Sequence, residues 1–233
     1  MSGVRRRTGR RLLTPIRRDF MAAPVLVCFA VRQEAAPFLR VTPELRDVRV
    51  VVTGMGRQNA ERSIRSVLAQ GTAPACVITS GFAGGLDPSL ETGTVVFDAD
   101  EGFAAVAALV AAGGRQARFH CAPEVAVTAE AKRELRAATG ADAVEMESEV
   151  IRAACRERGV PGATVRVISD AADENLPLDF NALMTPDLQM DCGKLAWALA
   201  KSPGKVPELI RFQRRVKSAA AALARVLCRA IAP

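Results

Sequence analysis

The sequence predicts an α/β protein, a single domain with a twisted, mixed, largely parallel sheet flanked by helices. Three observations carry that reading. Short β-branched runs alternate with helical stretches from Pro24 to Ser169, the pattern of sheet strands joined through crossover helices. Four of the runs lead straight into polar or glycine-rich segments, as strands do when their carboxyl ends frame a ligand site. The chain has 233 residues, 49% hydrophobic and 24% charged, enough to bury one sizeable core.

Taken in order, residues 25–31 read as a buried strand and residues 48–53 as a second. Between Asn59 and Gln70, Ala60, Ile64, Val67 and Leu68 recur at helical spacing before Gly71 stops the helix. Residues 75–79 form a third strand that runs into a glycine loop, Ser80–Gly85, and residues 93–97 form a fourth. Residues 103–112 and 129–138 read as helices, the second opened by Thr128. An extended stretch, 143–146, a helix, 147–159, and a strand, 163–169, complete the series. One rim of the sheet should then present Glu34, two glycine loops and Asp170.

The net charge of +7 does not belong to that sheet. Residues 1–20 hold seven Arg and one acid; residues 194–233 hold nine Lys and Arg and one acid; the remainder is net acidic. The division is therefore a basic leader at 1–20, expected to be disordered, a catalytic body at 21–190, and a basic amphipathic helical segment at 191–233. Met21, just before the first strand, is a candidate start. The acidic body argues against a nucleic-acid binder. No apolar run approaches the ~18 residues of a membrane span, and the leader lacks the apolar stretch of a secretory signal. Six scattered Cys without paired spacing point to reduced thiols and a cytoplasmic setting. With one His and no Tyr, His-based nucleophile mechanisms and clustered zinc sites are poorly supported. Carboxylates must carry any acid–base work.

Thr53-Gly-Met-Gly-Arg-Gln-Asn-Ala60 fits a loose dinucleotide fingerprint, but the next strand ends without the acid that would hold a ribose. What remains is either a tight turn or a loop whose N–H groups hold an anion or a sugar hydroxyl. Ser80-Gly-Phe-Ala-Gly-Gly85 holds three glycines in six residues, which favours close approach of backbone to a ligand. In extended Val144-Glu-Met-Glu147, Glu145 and Glu147 are two apart while a lone pocket-facing carboxylate is expected, the other being solvated. Arg166 and Asp170 lie four apart on one side of a strand, and a strand-end carboxylate with a raised pKa can serve as a general acid.

Together, Gly54-Met-Gly56, Ser80-Gly-Phe-Ala-Gly-Gly-Leu86, Val144-Glu-Met-Glu147 and Arg166-Val-Ile-Ser-Asp-Ala-Ala-Asp173 resemble the nucleoside phosphorylase / methylthioadenosine–adenosylhomocysteine nucleosidase superfamily. The tail, from Leu183-Met-Thr-Pro-Asp187 onward, resembles its hopanoid-associated phosphorylase branch. The resemblance implies cleavage of the N-ribosyl bond of a purine nucleoside with release of adenine. The substrate it points to is adenosylhopane, with methylthioadenosine or adenosylhomocysteine and other purine nucleosides as alternatives. A non-catalytic nucleoside-binding protein is the competing class.

The same resemblance implies the roles. Asp170 protonates purine N7 with Ser169 in support, Glu34 activates the attacking water, Glu147 and Met146 hold the ribose, and Arg166 stands near it. Gly54, Gly56, Gly81, Phe82, Ala83 and Gly84 contribute wall. Pro123-Glu-Val-Ala126 carries no aromatic ring, so base binding is expected to rest on backbone and Val125. No metal or cofactor is implied; phosphate is an alternative nucleophile to water, with Arg57 its candidate ligand. A homodimer is implied, and the basic tail suggests peripheral contact with an anionic membrane.

Overall fold

Strand β1 (Val25–Phe29) is nearly all apolar and sits between two parallel neighbours, β2 (Val48–Val52) and β3 (Cys76–Gly85). The computed structural model describes residues 23–45 and 47–232. The leader at 1–20 and Met21 lie outside the described residues. Helix α1 (Arg32–Val41) follows β1, and α2 (Arg57–Ala69) follows β2. Helix α2 turns Ala60, Ile64 and Leu68 inward, the residues whose spacing predicts it.

The sheet continues through β8 (Gly162–Asp170), parallel to β3, then β4 (Val95–Ala99), antiparallel to β8, and β5 (Arg115–Gln116). The order is β2-β1-β3-β8-β4-β5. The end of β3 also pairs antiparallel with β7 (Ala143–Glu145), which in turn pairs with β6 (Phe119–Cys121). Helices α3 (Val106–Ala111), α4 (Ala129–Thr139) and α5 (Ser148–Arg156) link these strands. Thr128 caps α4 by accepting from the Ala131 N–H at 3.1 Å. The expected mixed, largely parallel α/β sheet is present.

One expectation fails at β3. Ser80–Gly85 is strand and not a loop, because Ser80 to Gly84 pair in register with Val165 to Asp170 of β8. The glycines serve the packing across the strand instead. Gly81 has φ of +143°, and a Cβ there would stand 2.7 Å from Arg166 Nη1 and 2.8 Å from Glu34 Oε2. Only a residue without a side chain leaves room for both groups over the strand.

Beyond β8 the chain wanders through 171–191 and forms α6 (Cys192–Lys201) and α7 (Val206–Ile231), separated by a 3-10 turn at Pro203–Lys205. Pro203 and Pro207 mark this break in the sequence. The carboxyl half of α7 buries Ala219, Leu223, Ala224 and Leu227 in one cluster with Val27, Ile78 and Val165 of the sheet. The carboxyl half of α7 therefore shares the core of the sheet. The amino half of α7 leaves Ile210 exposed while Phe212 and Val216 reach the cavity described next. No helix among the described residues is long and apolar enough to cross a membrane.

Candidate active site

Residues from the rim of the sheet line a cavity of about 380 Å³. Its floor and walls hold Glu34, Phe82, Ala83, Gly84, Val125, Met146, Glu147, Ser169 and Asp170, all expected from the sequence. Gly54, Gly56, Gly81 and Arg166 stand behind that wall; Met55, between the first two, lines it.

Arg166 organises the carboxylates. Its side chain, fully enclosed, donates from Nη2 to Glu145 Oε2 at 2.5 Å and Glu147 Oε2 at 3.3 Å, and from Nη1 to the Ser80 carbonyl at 3.1 Å. Glu145 is not solvated, contrary to expectation. The turn into α5 folds its carboxylate back so that it accepts from the N–H groups of Glu147 at 3.0 Å and Ser148 at 2.8 Å, and from Ser148 Oγ at 2.7 Å. A helix amino terminus and a guanidinium thus neutralise it. Glu147 is left as the pocket carboxylate, with Oε1 accepting from the Gly56 N–H at 2.9 Å. That bond uses an N–H for which an anion or sugar had been considered; the Gly54 N–H similarly donates to the Ala30 carbonyl at 3.1 Å.

Glu34 lies in the first turn of α1. Its oxygens accept from the Phe82 N–H at 3.1 Å and the Val31 N–H at 3.4 Å. Burial pushes its carboxyl up to about 7; Arg166 pulls against that shift and Glu147 adds to it. Burial likewise raises Glu147, with Arg166 opposing and Glu145 assisting. A group balanced near neutral pH is suited to gaining a proton during turnover.

Asp170 ends β8. Adjacent residues of a regular strand face opposite sides, yet Ser169 and Asp170 both line the cavity. A register shift between Ala83 and Gly84, where β3 opposes β8, makes this possible. Ser169 Oγ donates to Asp170 Oδ1 at 2.6 Å. Asp170 Oδ2 meets Lys132 Nζ of α4 at 2.5 Å.

The remaining wall is apolar and comes from residues distant in sequence: Leu176, Phe180, Met184, Met190, Phe212 and Val216. Phe180 and Phe212 pair with ring centroids 5.9 Å apart. Aromatic surface is therefore available, although none lies near Val125 in the sequence. The Asn181 carboxamide bonds both backbone groups of Val125, accepting from its N–H and donating to its carbonyl, each at 2.9 Å. Lys132 and Asn181 escape sequence reasoning because each gains its meaning from a partner about 40 or more residues away.

Residues 104–201 match the family model of the phosphorylase superfamily. Futalosine hydrolase of Helicobacter pylori superposes with a TM-score of 0.65 at 17% identity, over 91% of this chain and 98% of that one. The 5′-methylthioadenosine/S-adenosylhomocysteine nucleosidase of Neisseria meningitidis, in complex with methylthio-immucillin-A, gives 0.64 at 20% identity, over 90% and 98%. The corresponding nucleosidase of Colwellia psychrerythraea, in complex with adenine, gives 0.63 at 18% identity, over 90% and 94%. The cavity lies at the carboxyl ends of β1, β3 and β8, where α/β sheets bind ligands.

Proposed function

We propose that this protein hydrolyses the N-ribosyl bond of a purine nucleoside, releasing the base. The observation that carries the reading is the presence of Glu34, Glu147 and Asp170 on one cavity, each in a distinct environment. Departure of the base leaves an oxocarbenium-like sugar, which nearby negative charge stabilises. Glu34 takes the proton of the attacking water, Glu147 binds ribose hydroxyls with Met146 packed on the ring, and Asp170 protonates purine N7.

Water is favoured over phosphate by the lining itself. It contains Glu34, Glu124, Glu145, Glu147 and Asp170 and no lysine or arginine. Arg57, considered for phosphate, instead pairs with Glu149 at 2.6 Å. A dianion entering that field meets net repulsion.

The base is adenine in this reading. Val125 offers one N–H and one carbonyl, a pair that the Asn181 carboxamide engages and that an aminopurine edge also matches. The apolar wall from Leu176 to Val216 suits a bulky apolar 5′ substituent, which favours a lipid-linked nucleoside such as adenosylhopane over methylthioadenosine or adenosylhomocysteine. Exposed Trp197 and Ile210 beside Lys201 and Arg211 support peripheral contact with an anionic membrane. Exposed Leu39 on α1 and Val52 on edge strand β2 support a homodimer.

The test is base release from adenosylhopane, methylthioadenosine and adenosylhomocysteine, each with and without phosphate. Release independent of phosphate and fastest with the lipid-linked substrate is expected. Release from none of them, or strict phosphate dependence, would refute the hydrolase assignment. Co-sedimentation with anionic vesicles at low and high salt checks the membrane contact, and light scattering in solution checks the dimer.

A further inference from the structure

Lys132 is the one fully enclosed lysine among the described residues, and the chemistry above leaves it unused. Its ammonium has three donors, and the structure supplies three acceptors: Asp170 Oδ2 at 2.5 Å, the Ala171 carbonyl at 2.7 Å and the Glu174 carbonyl at 2.9 Å. Two of the three are backbone groups of the turn after β8, so the nitrogen is held in place independently of Asp170. Losing one proton would leave an amine whose two remaining hydrogens still satisfy both carbonyls, with its lone pair facing Asp170. While Asp170 carries the transferred proton, its O–H meets that lone pair and no polar group of the pair is left unpaired.

We infer that Lys132 supplies the proton that Asp170 passes to the leaving base. The inference rests on the nucleosidase reading. A proton leaves Lys132 Nζ for Asp170, and the Asp170 carboxyl hands its proton to purine N7 as the C1′–N9 bonding pair withdraws into the ring. Water adds to C1′ and loses its proton to Glu34. The cycle ends with neutral Lys132, ionised Asp170, protonated Glu34, a free sugar hydroxyl and neutral base. Exchange with solvent returns the proton from Glu34 and recharges Lys132. Lys132 does not touch the substrate in this scheme; it is a positioning and proton-supplying residue that acts through Asp170.

The charged groups around the pair are few. On α4, Glu130, Arg133 and Glu134 are exposed, and Arg136 pairs with Asp87 at 2.9 Å. The Glu174 carboxylate pairs with Arg215 at 2.5 Å and accepts from the Ala171 N–H at 3.3 Å. The cavity that Asp170 lines also holds Glu34, Glu124, Glu147 and Glu145, the last paired with Arg166. Ser169 is the other direct partner of Asp170.

The test is the pH profile of base release by the wild type and by Lys132→Met. In the wild type, turnover should rise through the Glu34 limb near pH 7 and stay high at pH 8. A lone carboxyl holds its proton only in the acid range. The variant should therefore lose on the order of 100-fold or more in kcat at pH 8, the usual worth of general acid catalysis. Its deficit against the wild type should shrink toward pH 5.5, where protonated Glu34 limits both proteins, with KM little changed. Two results would overturn the inference: a variant whose kcat falls by the same factor at every pH, or one that keeps wild-type kcat at pH 8. If the variant does not fold, the wild-type profile decides alone, because activity that declines already above pH 6 assigns the proton to an isolated carboxyl. A wild type that releases base from no nucleoside would defeat the nucleosidase reading itself and this inference with it. Failure of Lys132→Met alone leaves that reading standing.

Discussion

Glu34→Gln separates the stability role of the buried carboxyl from its chemistry. Burial raises its pKa from 4.5 to about 7. The folded protein then holds this proton up to about pH 7, whereas the unfolded chain releases it near pH 4.5. Between those values the folded state binds more protons, so stability falls as pH rises through the window and is level above it. Moving the pKa from 4.5 to about 7 corresponds to about 3 kcal/mol. The glutamine variant has no such ionisation and does not suffer that loss. Its amide does place a donor opposite the N–H of Phe82 or Val31, which the carboxylate now accepts, at a pH-independent cost of about 1–3 kcal/mol. The measurable quantity is therefore the change with pH. In urea unfolding at pH 4.5, 6, 7 and 8, the variant should gain about 3 kcal/mol on the wild type across the series. Glu147 titrates in both proteins and cancels to first order. The same variant should lose at least about 100-fold in kcat. Stability curves that run parallel across the window would refute the assignment of a raised Glu34.

Asp170→Asn should abolish most turnover, on the order of 100- to 10,000-fold, while leaving Lys132 with a neutral partner; a stability loss of a few kcal/mol is expected, read by thermal unfolding. Gly81→Ala inserts a Cβ 2.7 Å from Arg166 Nη1 and 2.8 Å from Glu34 Oε2, and should lower both activity and melting temperature; wild-type kinetics would contradict the packing. Asn181→Ala frees the backbone edge of Val125, so KM for the nucleoside should fall, by up to about tenfold for each 1.4 kcal/mol of competition removed. An unchanged or raised KM would show that the base does not use that edge.

The elements of the sheet were legible because their signals are local. The alternation of β-branched runs with helical spacing at Ala60, Ile64 and Leu68 is written within a dozen residues, and the expected strand at 163–169 is β8. The residues around the cavity were legible for another reason, since a strand's carboxyl end must open onto the rim. Where local reading went wrong, a long-range partner decided. Three glycines in Ser80–Gly85 look like a loop until β8 is paired beside them. Glu145 looks solvated until Arg166, 21 residues later, is folded against it. The aromatic surface seemed missing because Phe180 and Phe212 meet only when α7 packs on the sheet.

Fold class, the run of elements and the chemistry-bearing residue types follow from the chain itself, since periodicity, glycine placement and strand ends are properties of neighbouring residues. Which carboxylate is neutralised, which is raised toward neutral pH and which pairs with Lys132 depends on what surrounds each of them. Glu34, Glu145, Glu147 and Asp170 have nearly the same intrinsic acidity; burial, Arg166, the amino end of α5 and Lys132 make them different. Those neighbours arrive from separate strands and helices. Only the folded arrangement sets desolvation and charge proximity, and these assign the roles.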